Sequence, residues 1–234
     1  MRLGLQAVIK TDDLIHRLGR ELRPVQRLLP PWQRAAIWLA CSVMYVAAVV
    51  TFAWVRRGAL GVESDAPYLL QQTALGLTGI LAALAAFASV IPGSASRARA
   101  ALAAPIGLMM AALLWGSMRD LQQFGTVGVG QETDWPCVVS ITLGGLALWA
   151  VASTMLRRGA VLDPRLTAAL AGAAAVSFAN IEACLGRVHV FTATVVLWHG
   201  ATVALVMAAV VALGPLVLSR RGRATHRDNA TADT

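Results

Sequence analysis

Short clusters of charge alternate along this chain with long runs that carry none. Stretches free of Asp, Glu, Lys and Arg last 21 residues between Arg34 and Arg56, 31 between Asp65 and Arg97, and 19 between Arg99 and Arg119. Three more follow: 22 residues between Asp134 and Arg157, 16 between Arg165 and Glu182, and 32 between Arg187 and Arg220. A helix needs about 20 apolar residues to cross ~30 Å of hydrocarbon. Five runs meet that length, and the fifth in order meets it if Glu182 and Cys184 sit at its interfacial end. The pattern predicts an all-α, polytopic membrane protein. Its six transmembrane helices lie near 34–55, 68–91, 100–117, 136–156, 166–184 and 190–218. The division is a cytoplasmic N-terminal segment over 1–31, a membrane domain over 32–218 and a C-terminal tail over 219–234 that is predicted to be disordered.

Composition supports this reading and removes others. Residues of the AVILMFWYC set make up 57% of the 234 and charged residues 14%, where an ordinary soluble domain has roughly 25% charged. A soluble fold of this size lacks the polar cover for so much apolar surface. The net charge is +8 and 19 of the 20 basic residues are arginines, but they flank the uncharged runs instead of forming a continuous basic face. A soluble enzyme and a direct nucleic-acid binder are therefore both disfavoured. With six spans both termini share one side. That side collects 16 basic residues, in the head, around 97–99, at 157–165 and in the tail, against four on the other side (Arg56, Arg57, Arg119 and Arg187). The positive-inside rule then puts both termini in the cytoplasm. Trp32 and Trp54 stand 22 helical steps apart, about 33 Å, which suits the two aromatic belts. The first 30 residues are too charged for a secretory signal, so no cleavage is expected.

The fifth span is poor in bulk. Ala171, Ala175 and Ala179 recur at four-residue spacing, a pattern that lets helices approach closely where packing replaces the hydrophobic drive. A well-packed central helix is expected. No internal repeat supports an inverted-repeat transporter core.

Residues 10–31, KTDDLIHRLGRELRPVQRLLPP, differ from the rest. Thr11 is a good N-cap, and Asp12 and Asp13 put negative charge at the positive end of the helix dipole. Leu14, Ile15, Leu18 and Leu22 form one apolar stripe, and Pro24 closes an amphipathic helix of about 11 residues. Three readings fit this head: a helix lying on anionic lipid, a structural N-terminus packed on the cytoplasmic loops, or a recognition helix docked in a partner's groove. So short a helix is marginal alone and needs a partner or the bilayer to order it. The paired acids favour a protein partner, because anionic lipid repels them.

Three cysteines complete the candidate chemistry. Cys41, inside the first span, reads as a small buried hydrophobe. Cys137 opens the fourth span and Cys184 closes the fifth, which puts both thiols at the outer, periplasmic face, where an oxidising compartment permits pairing. A structural disulfide, a reversible redox pair and two unrelated thiols all fit the spacing. No CxxC motif is present, and the run EACLGRVH lacks the compact spacing of a zinc motif. No metal and no other cofactor is expected. Haem between His189 and His199 fails on geometry, since ten helical steps separate them by ~15 Å and about 280°. His199, in Trp198-His199-Gly200, is an intramembrane ionisable group and so a possible polar site, although a neutral, hydrogen-bonded histidine fits equally. No Walker motif, GxSxG or HExxH occurs, and no enzymatic activity is expected.

The head KTDDLIHRLGRELRPV, Cys137 at the start of a fourth span, the stretch RRGAVLDPRLTAALAGAAA, and Cys184 followed by Phe191 and Trp198-His199 together resemble the NrsF (negative regulator of sigma F) family of six-span membrane anti-sigma factors. The resemblance covers residues 10 to about 218. It implies that the N-terminal segment, through Thr11, Asp12, Asp13, Leu14, Ile15, Leu18 and Leu22, holds an extracytoplasmic-function (ECF) sigma factor at the membrane. It also implies that Cys137 and Cys184 sense oxidative or metal stress. A small six-span transporter, or a membrane thiol-redox protein without a sigma-factor partner, is the alternative.

Overall fold

The computed structural model describes residues 29–57, 66–90, 95–125, 135–159, 161–185 and 195–219. The head from Thr11 to Leu22 and the tail beyond Ser219 lie outside them. Six helices follow in order: α1 (Pro31–Arg57), α2 (Ala66–Ala88), α3 (Ala95–Phe124), α4 (Trp135–Leu156), α5 (Pro164–Leu185) and α6 (Gly200–Leu218), the last entered through a π-helical turn at Val195–His199. All six are long and apolar enough to cross a membrane, and no strand occurs among the described residues. The predicted six-span, all-α architecture is the one observed.

Local sequence explains the helix ends. Pro31 and Pro164 occupy first helical positions, where the missing N–H costs nothing. Asp163 caps α5, its Oδ1 accepting the N–H groups of Arg165 at 3.0 Å and Leu166 at 3.1 Å. Gly125, with φ +62°, ends α3 in the left-handed conformation that glycine adopts without strain. The helix ends differ from the predicted spans where a charge ends an uncharged run. α3 reaches Phe124 and carries Arg119 and Asp120 beyond the predicted limit at 117, because a charge marks where hydrocarbon ends and not where hydrogen bonding does. In the sixth span the described helix starts at the π turn, five residues after the predicted start.

α5 is the axis of the bundle and the most buried helix, touching α1, α2, α4 and α6, whereas α3 packs chiefly on α2. The small-residue reading of α5 holds: Ala171, Ala175 and Ala179 are all buried. Glycines on α5 itself and on its neighbours α4 and α6 complete the close approach. A methyl group on Gly172 would meet Val210 Cγ1 at 2.8 Å, one on Gly145 would meet Val176 Cγ1 at 3.2 Å, and one on Gly214 would run into Ala168. Close backbone approach of this kind is the main source of cohesion between helices in lipid.

The helices alternate in direction, so the bundle has two distinct ends. One gathers Arg34, Met155 and Thr167, with Ser89 and Thr167 joined through their hydroxyls at 2.8 Å. The other gathers Arg56, Cys137 and Glu182 around one cleft. Trp54, Trp115 and Trp135 are exposed toward this second end, and Trp135 packs at 6.4 Å on Trp198. Such amphipathic rings favour a membrane–water interface.

Candidate functional site

α1 meets the bundle along a narrow stripe. Arg34, Trp38, Ser42 and Tyr45 recur at steps of four, four and three and so share one helix face. Arg34 is buried, donates to the carbonyl of Met155 on α4 and lies 5.3 Å over the ring of Phe87 on α2. Trp38 is fully buried; its indole N–H donates to Leu148 O on α4 at 3.1 Å, and its ring meets Phe178 of α5 edge-on at 5.9 Å. Tyr45 reaches α5, its hydroxyl donating to Glu182 Oε2 at 3.3 Å. The remaining faces of α1 are largely exposed, Val43, Met44, Phe52 and Val55 among them. Cys41 stands on this outward side and not in the core as expected, because it is one residue off the stripe and so turned about 100° from it.

The second end of the bundle holds both other cysteines. Cys137, on the first turn of α4, is buried, and its Sγ lies 3.8 Å from the carbonyl of Ala183 on α5. Cys184 is the next residue along and is half-buried. The expected common depth is therefore observed, on two helices in direct contact.

Glu182 departs from the expectation of a rim residue. It is only 6% exposed. Its Oε1 accepts from the Ser140 hydroxyl at 2.6 Å and its Oε2 from Tyr45. A carboxylate is tolerated at such a site when hydrogen-bond donors replace water. Here one carboxyl group ties α1, α4 and α5 together. A cavity of about 540 Å³ opens beside it, lined by Val49, Phe52, Arg56, Cys137, Ser140 and Glu182. Cys137 and Glu182 thus face one space. The signal for this site was present in the sequence as the single carboxylate of the fifth span, but its partners, Ser140 and Tyr45, are distant in sequence and have no motif of their own.

His199 lies on the far side of α5. It is buried at the end of the π turn, with Nδ1 at 3.1 Å from Asn180 Oδ1, while Asn180 Nδ2 donates to the Val176 carbonyl at 3.3 Å. His199 lines a different cavity from the one that Cys137 lines. Among the described residues no three His, Cys, Asp or Glu side chains group as a metal site would require.

The family model described as NrsF, negative regulator of sigma F, matches residues 18–219. The chain belongs to the NrsF family. No curated protein and no solved structure matches it. The match covers all six helices, Cys137, Glu182, Cys184 and His199, and it takes in Leu18 and Leu22 of the head. Thr11, Asp12, Asp13, Leu14 and Ile15 precede it, so the family match starts inside the predicted recognition helix. As an NrsF protein the chain is a membrane-embedded anti-sigma factor whose partner is a sigma factor.

Proposed function

We propose that this NrsF protein holds an ECF-type sigma factor at the cytoplasmic face of the inner membrane and lets it go when Cys137 and Cys184 react with an oxidant or a metal ion. The head binds the sigma factor, with Asp12 and Asp13 meeting a basic site and Leu14, Ile15, Leu18 and Leu22 filling an apolar groove, while Thr11 caps the helix. The observation that supports this reading is the attachment of α1. The helix that continues the head is fastened to the bundle by few contacts, and one of them, Tyr45 to Glu182, borders the cleft lined by Cys137.

The signal travels along α1 as a change in its seating. If the two thiols form a disulfide, each sulfur loses a proton and the pair gives two electrons to the external oxidant. Drawing Cys137 and Cys184 together shifts the first turn of α4 against the last turn of α5, the two elements that hold Glu182. Its bonds to Ser140 and Tyr45 then change, and α1 moves with the head. Reversing a 1:99 population takes about 5.5 kcal/mol, equal to roughly 120 mV of differential potential for a two-electron thiol couple. Hydrogen bonds to a charged group contribute about 1.5–3 kcal/mol each, so the two at Glu182 are of the right size to carry much of that change.

Reporter output from the sigma factor's target promoter tests both halves. Cys184→Ser should fix output at one level with or without oxidant or metal ion, and normal induction would take the cysteines out of the trigger. Asp12→Ala with Asp13→Ala should release the sigma factor from membranes in a pull-down. Retention there would assign its binding to another segment.

A further inference from the structure

A second cavity, of about 380 Å³, lies between α2, α3, α5 and α6, across α5 from the cysteine cleft. Pockets of this size hold small molecules. Most of its wall is apolar, including Leu75, Met109, Val203 and Met207. Ile106, Met110 and Val196 on its wall are also about half exposed on the surface of the bundle. That surface faces hydrocarbon in a six-span protein, so the cavity is reached from the bilayer and not from water. α3, packed chiefly on α2, forms the loosest wall.

The polar side chains that line this cavity are Gln71, Thr78, Ser177, Asn180 and His199, and Asn180 and His199 meet at one corner of it. Three of them have committed hydrogens. Thr78 donates to the Ala74 carbonyl at 2.7 Å, Ser177 to the Ala173 carbonyl at 2.8 Å and Asn180 to the Val176 carbonyl. Because the Asn180 amide nitrogen is used in that way, its oxygen is the atom that faces His199, and an amide oxygen can only accept. The corner therefore offers the lone pairs of the Thr78, Ser177 and Asn180 oxygens. A ligand complementary to it has a hydroxyl head, which donates, on an apolar body that fills the remainder.

We infer that this cavity is a binding site for a lipid-soluble alcohol or phenol, admitted laterally from the bilayer between α3 and α6 and held by its hydroxyl at the Asn180–His199 corner. The site is independent of the thiol trigger and of the head, so it stands or falls apart from the proposed sensing.

A matched pair of probes separates hydroxyl recognition from apolar filling: 4-decylphenol, and 4-decylanisole, the methyl ether that keeps the shape but loses the donated hydrogen. The full chain in detergent micelles should show a saturable rise in its unfolding midpoint with the phenol. The ether should bind about fivefold more weakly, the value of one neutral hydrogen bond. Gly200 lines the cavity, and a Cβ there would meet nothing within 4 Å. Gly200→Phe should therefore fold normally and lose the response, while Asn180→Leu should abolish the preference for phenol over ether. Equal stabilisation by the two probes would reduce the cavity to an acyl-chain cleft and overturn the proposal. An undiminished phenol response in a folded Gly200→Phe variant would overturn it as well.

Discussion

Glu182 shows what one residue contributes here. Isolated in an apolar environment, an ionised carboxylate would be driven to neutrality or to water. The Ser140 hydroxyl at 2.6 Å is the shorter of its two bonds and the Tyr45 hydroxyl at 3.3 Å the longer. Since O–H···O bonds are strongest at about 2.5–3.0 Å, the two partners contribute unequally. Ser140→Ala should lower stability by about 1–3 kcal/mol, the penalty for an unmet buried partner, and Tyr45→Phe should lower it by less. Unfolding midpoints of the two variants in the same detergent measure the difference. The order of the two effects on signalling is the reverse. Tyr45 is the member of the pair on the helix that leads to the head, so Tyr45→Phe should raise target-gene output in unstressed cells more than Ser140→Ala does. A reporter strain measures this, with protein abundance checked by immunoblot.

Among the elements, α5 sets the arrangement of the others. Its alanines and the glycines opposite them leave no room for larger groups at the α5–α6 crossing, where a Cβ on Gly214 would meet Ala168 and stand 3.1 Å from the Pro164 carbonyl. Backbone cannot yield as a flexible side chain can, so Gly214→Ala should lower stability by about 1–3 kcal/mol through overpacking. Gly107→Ala on α3, where a Cβ meets nothing within 4 Å, is the matched control and should leave the unfolding midpoint unchanged or slightly raised. Equal effects at the two positions would show that helix propensity, and not the crossing, governs both. The central role of α5 was legible in the sequence because close packing in lipid requires small residues at a fixed spacing, and that spacing is local. The stripe on α1 was not. Arg34 borders an uncharged run and Trp38 lies inside one, and nothing local marks either as a contact, since their partners are the Met155 and Leu148 carbonyls more than 100 residues away. Backbone acceptors leave no trace in sequence. The paired depth of Cys137 and Cys184 was legible because helix direction alone determines it, whereas the Asn180–His199 pair depends on how the π turn rotates His199.

At the scale of the whole molecule the two ends differ in chemistry, and the difference defines the orientation that the relay requires. Both thiols and Glu182 lie at the end where α1 finishes and α4 begins, and the head precedes the opposite end of α1. The relay therefore needs the Arg34 end inside the cell. The arginine distribution, 16 basic residues against four, favours that orientation through the energetics of translocating charge, a property of short loops and not of packing. Alkaline phosphatase, active only outside the cytoplasm, should be active when fused within residues 58–65 or 126–134 and silent when fused within residues 91–94 or after residue 219; green fluorescent protein should give the complementary pattern. An impermeant maleimide added to intact cells should then label Cys184, the half-buried thiol, faster than the buried Cys137, and Cys184→Ser should remove the fast phase. Prior oxidation should suppress labelling of both together if they pair, but Cys184 alone if they react independently. The second pattern would leave the head, α1 and Glu182 as a holding device and remove the disulfide as its trigger.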